Sequence, residues 1–187
     1  MKTTVGRMKA SVRVSISLLT LATMCVAQEK GSGVMPGPSA EAKRTANSIS
    51  GDWSGRMTAS FPGAKSESFP WEVKCSPAAL GFGAACTLAG KASIGPIAES
   101  CLLAYDPERK EVHYMCVTSS GEVHDHQGQW IDDRTIELVA YKASMMADKV
   151  VETVRLSFPD AKTLQTKSII TTENGATMTF TFVGQRK

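Results

Sequence analysis

From Ile49 onward the chain is cut into short segments of alternating apolar and polar residues, with turn residues every 10 to 15 positions. That rhythm leaves room for strands but not for the crossover helices that a parallel sheet needs. Ten candidate strands are read at roughly 51–60, 67–75, 82–90, 97–105, 111–118, 122–131, 134–141, 149–158, 162–171 and 176–183. Turn chemistry separates them, as at Pro62-Gly63, Asp106-Pro107, Ser120-Gly121, Pro159-Asp160 and Asn174-Gly175. In the last segment Met178, Phe180 and Phe182 alternate with Thr177, Thr179 and Thr181, so the large apolar groups share one face. A one-sided sheet must bury that face, and closing it on itself also removes exposed edges. The expected fold is all-β, a single antiparallel up-and-down barrel of about ten strands over residues 49–187.

The first 27 residues read as a signal peptide. Lys2, Arg7, Lys9 and Arg13 precede an apolar run from Val14 to Val26, and Cys25-Val26-Ala27 offers small residues for cleavage after Ala27. Lipidation at Cys25 is the competing reading, opposed by the bulk of Met24. Residues 28–48, with Gly31, Gly33, Pro36, Gly37 and Pro38, read as a flexible linker carrying at most a short helix over 40–46. The expected location is therefore periplasmic or extracellular. Four of the 21 basic residues lie in the leader, leaving 17 against 18 acidic ones. A domain so balanced has no cationic surplus for nucleic acid or an anionic bilayer, and no later apolar run has membrane-spanning length.

Cys75, Cys86, Cys101 and Cys116 remain after the leader, an even set in an exported chain, with no C-x-x-C spacing. If Tyr105 pairs with Val112 across the 106–111 loop, Cys101 falls opposite Cys116. Cys75–Cys86 is then the second bridge.

All three histidines lie between positions 113 and 126. His124 and His126 are two apart on one strand and project from one face. A four-residue loop over 118–121 would place His113 opposite His126, joining them with Met115, Val117 and Trp130 on the lumen face. A turn over 132–134 adds Ile136 and Leu138 to that face. His113, His124 and His126 are thus a candidate metal set. Hydrogen bonding to Asp125, Gln127 or water is the structural alternative, and a one-residue slip would send His113 outward. Glu99, Glu122 and Asp125 read as solvent-facing strand carboxylates. Met145 and Met146 could form an apolar lip over the barrel entrance. No G-x-S-x-G, P-loop or G-x-G-x-x-G motif supports acyl-transfer or nucleotide chemistry.

Gly51-Asp52-Trp53 resembles the G-x-W motif of the calycins, the superfamily of lipocalins, fatty-acid-binding proteins and nitrobindins. The resemblance implies that Trp53 plugs one barrel end and that Arg186 packs over its ring as a cation–π cap. Leu103 to Pro107, the turn before Gly121, and Gly128 to Trp130 are also similar to a family of small exported bacterial proteins with calycin-like barrels. Nitrobindins hold haem through a histidine late in the chain. None follows His126 here, so haem by that route is not expected.

These readings lead to an exported binding protein holding a hydrophobic or amphipathic molecule, with Met115, His124, His126, Trp130, Met178, Phe180 and Phe182 as ligand contacts. The alternatives are a metal-dependent or histidine-based enzyme at the barrel mouth and a structural or interaction module of the envelope. The sequence leaves the oligomeric state open.

Overall fold

The structure, a computed structural model, describes residues 36–140 and 150–187. The leader with its cleavage point, the first part of the linker, and the Met145–Met146 lip lie outside the described residues. The strands are β1 (Gly51–Ser60), β2 (Glu67–Ala78), β3 (Gly83–Ala92), β4 (Gly95–Asp106), β5 (Glu111–Thr118), β6 (Val123–Trp130), β7 (Thr135–Ala140), β8 (Val150–Asp160), β9 (Thr163–Thr172) and β10 (Thr177–Arg186). Each pairs antiparallel with the next, and β10 returns to β1, so the sheet closes into a barrel with no free edge.

Alternation decides which side chains enter. In β2, Phe69, Trp71, Val73 and Cys75 are buried while Ser68, Pro70, Glu72 and Lys74 are exposed. Residues of the same phase in the other strands complete the core, among them Leu103, Val112, Ile136, Leu138, Leu156, Leu164 and Phe182. Each large apolar side chain so buried contributes about 1.5–3 kcal/mol. The ring of Trp71 lies so close to Gly90 that an added Cβ would fall 2.3 Å from it, so the strand needs glycine there.

The four cysteines stand in one rank across β2 to β5, with Cys75 opposite Cys86, Cys86 opposite Cys101, and Cys101 opposite Cys116. Disulfides join Cys75–Cys86 and Cys101–Cys116, the pairing expected from the register of the 106–111 loop. His124 continues the rank beside Cys116.

The linker reading, which allowed a short helix over 40–46, needs correction over 40–48. Helix α1 (Ala40–Ile49) begins at Ser39, whose side chain accepts from the Ala42 amide. Ala42, Thr45, Ala46 and Ile49 are buried. Their i, i+3, i+4, i+7 spacing forms one face, which packs on the barrel instead of serving as a tether.

Helix α1 runs across one barrel end. Trp53 donates from Nε1 to the Ile49 carbonyl at 2.8 Å, and the Arg186 guanidinium lies 4.3 Å above its ring. On the far wall Trp130 donates to Thr45 Oγ1 at 3.1 Å, while Arg44 sits 3.8 Å over the Trp130 ring and bonds the Asp132 carbonyl. Phe158 adds a ring 6.0 Å from Trp130. This end is filled.

Candidate functional site

At the opposite end the inward positions turn polar. The hairpin between β5 and β6 sets which ones. Gly121 takes φ +85°, its amide bonds the Thr118 carbonyl, and the Thr118 amide bonds the Glu122 carbonyl. This is a type I turn closed by a glycine bulge, one residue longer than the expected loop. The extra residue places Tyr114, not His113, opposite His126, and Cys116 opposite His124.

Two expectations therefore change. His113 faces outward, 3.1 Å from Glu111 and 3.6 Å from Asp125, and takes no part in an inner cluster. Met115 is 42% exposed on the outer wall, with Val117, instead of lining the lumen. The cause is the period of two, which reverses every side chain of β5 when the loop gains one residue.

His124 and His126 do face inward, with ring centroids 5.6 Å apart. Their partner is Glu152 of β8, which the sequence reading passed over. Its Oε2 lies 3.1 Å from His124 Nδ1 and 3.0 Å from His126 Nε2. Ser168 of β9 donates its hydroxyl to Glu152 Oε1 at 2.5 Å. His126 Nδ1 is 3.3 Å from the Tyr114 carbonyl, and Glu122 Oε2 is 3.5 Å from His124 Nε2. His126 and Glu152 are buried, at 3% and 7% exposure. Glu152 could have been found, because it occupies the apolar phase of β8 between Val150, Val154, Leu156 and Phe158. Glu99 likewise follows Ile97 and precedes Cys101 and Leu103 on the inner phase of β4, so it does not face solvent as expected. Of the three strand carboxylates, Asp125 alone is exposed.

Burial raises the Glu99 carboxyl above its usual range, helped by the Glu152 charge and opposed by His124. Burial also pushes Glu152 upward, but hydrogen bonds to His124 and His126 overcome it and hold this carboxyl below its ordinary range. The same Glu152 bond raises His124 against its own desolvation. The Tyr114 hydroxyl is raised by burial and by the two carboxylates, which keeps it neutral.

The other expected contacts divide between the two ends. Met178 and Phe182 are buried on the inner face of β10, and Phe180 is partly buried with its ring 5.7 Å from Phe61. Trp130 is inward but spoken for, its N–H by Thr45 and its face by Arg44. Among the described residues three buried side-chain polar atoms make no well-directed hydrogen bond: Trp71 Nε1, and His124 Nε2 and His126 Nε2, which lie within ion-pair distance of Glu122 and Glu152. All three belong to inward-facing side chains.

No protein-family profile and no curated protein sequence matches the chain. Among solved structures it is similar to Rv2717c from M. tuberculosis at 17% identity, covering 75% of this chain and 93% of that one, with a TM-score of 0.57. It is also similar to the S-type phycobiliprotein lyase CPES from Guillardia theta at 15% identity, covering 81% and 98% respectively, with a TM-score of 0.54. Both are calycin-like barrels, and at these identities the likeness speaks to fold alone. The ten-strand closure and the Trp53–Arg186 contact agree with it, and the fold is a calycin-like antiparallel barrel.

Proposed function

We propose that this chain is an exported protein that holds a small amphipathic molecule inside its barrel. The carrying observation is the orphaned indole N–H of Trp71 on the inner face of a barrel whose far end also turns the imidazoles of His124 and His126 inward. A buried polar atom without a partner costs about 1–3 kcal/mol, a cost that a bound polar group removes. Met178, Phe180 and Phe182 supply apolar contact, and the two histidines with Trp71 orient the polar part. Export is supported by the two disulfides, which persist in an oxidising compartment, together with the basic, then apolar leader and the small residues Cys25-Val26-Ala27 of the sequence. Among the described residues no helix is long and apolar enough to cross a membrane.

Native mass spectrometry of protein taken from its own exported fraction, paired with thermal shifts against fatty acids and aromatic carboxylates, tests the reading. A saturable rise in unfolding temperature, weakened by Phe180→Ala, is expected. A flat response to every amphiphile, with no co-purifying mass, would remove the proposal.

A further inference from the structure

We infer that His124 Nδ1, His126 Nε2 and Glu152 Oε2 form a binding site for one divalent transition-metal ion of the zinc class. The three ligand atoms lie within 4.8 Å of one another, and the carboxylate oxygen is 3.0–3.1 Å from both nitrogens. Bonds of about 2.0–2.1 Å around a tetrahedral ion separate neighbouring ligands by about 3.3 Å, close to both carboxylate–nitrogen distances. The site does not depend on an organic ligand in the barrel.

Proton placement at His126 provides the chemical argument. The Tyr114 carbonyl can only accept, so His126 Nδ1 carries the hydrogen of that contact. Nε2 is then the nitrogen turned toward Glu152 Oε2. A nitrogen and a carboxylate oxygen 3.0 Å apart hold a cation between them, either a proton on Nε2 or a metal ion. Nε2 has no directed hydrogen bond, although the residue is 97% buried.

The surroundings suit it as well. The Ser168 hydroxyl holds Glu152 Oε1 and leaves Oε2 to the ion. Glu122, within ion-pair reach of the outer nitrogen of His124, orients that ring as carboxylates do behind metal-bound histidines. Two imidazoles and one carboxylate match zinc and its neighbours, whereas calcium takes six to eight oxygens and magnesium an octahedral set. Three protein ligands leave a fourth position for water or an anionic group.

Untagged protein, freed of metal by a chelator, is titrated near neutral pH with Zn2+ alone and with Co2+ alone. One equivalent should bind with micromolar or tighter affinity, and cobalt should develop the visible bands of a four- or five-coordinate site. Glu152→Gln and His126→Ala should each weaken binding by at least about 100-fold, Ser168→Ala by about 10–100-fold, and His113→Ala not at all. Circular dichroism of the metal-free variants establishes folding, and Glu152→Gln, nearly the same shape, carries the test where His126→Ala does not fold. Absence of saturable binding overturns the inference, as does a cobalt spectrum unchanged in folded Glu152→Gln or lost in His113→Ala.

Discussion

The two ends of this barrel are built from opposite materials. At the α1 end, Trp53, Trp130 and Phe158 fill the interior, and both indole N–H groups are satisfied, by the Ile49 carbonyl and the Thr45 hydroxyl. At the far end Glu99, His124, His126 and Glu152 bring ionisable groups inward, and two imidazole nitrogens lack directed partners. Apolar packing with completed hydrogen bonds stabilises; buried charge and unpaired donors or acceptors cost stability and persist where they serve binding or catalysis. The contrast teaches that the helix end is built for stability, while the far end carries the inward ionisable groups on which the proposed binding rests.

The largest effect is expected from Trp53→Ala. It removes a 1%-exposed core ring, its bond to Ile49 and the seat of Arg186. A loss of about 3–5 kcal/mol in denaturant unfolding is expected. If His124→Ala costs as much in metal-free protein, the division between the ends collapses.

Thr45→Val is the finer probe of the same end. The side chain keeps its shape but no longer accepts from Trp130 Nε1, and Thr45 is fully buried. About 1–3 kcal/mol should be lost. Unfolding at the wild-type midpoint would show that this bond does not hold the helix down.

Glu99→Gln should give the smallest change, and of opposite sign. Burial raises this carboxyl above its ordinary value of 4.5 in the folded chain. Its contribution to stability is therefore full below that value and is lost as pH rises through the folded one. The neutral amide avoids that loss, so the variant should melt higher than wild type at neutral pH and level with it below about pH 4. A lower melting point at neutral pH would mean that the charge is compensated in place.

Loop chemistry explains what could be read ahead of the structure. Across 106–111 the assumed pairing of Tyr105 with Val112 is the observed one, and with it came both disulfides. Across 118–122 the bulge at Gly121 added one residue, and His113 and Met115 moved to the outer wall. The two hairpins look equally turn-like in sequence; only the backbone of the closed turn separates them. Helix α1 was legible only as a short helix over 40–46 in a tether, because one stripe of four residues, three of them small, is a weak signal until the barrel supplies a surface to cover.

Alternation and turn spacing determined an antiparallel all-β fold with one buried face and favoured a closed barrel over a two-layer sandwich; closure itself is seen in the β10–β1 pairing. They also determined that His124 and His126 point the same way, since a spacing of two cannot do otherwise. Only the tertiary structure decided that their third partner is Glu152, 26 positions beyond His126 and two strands away. Pairing in a sheet is local, but curvature is not, and barrel closure brings β8 within reach of β6 by a geometry that no segment of the chain encodes by itself.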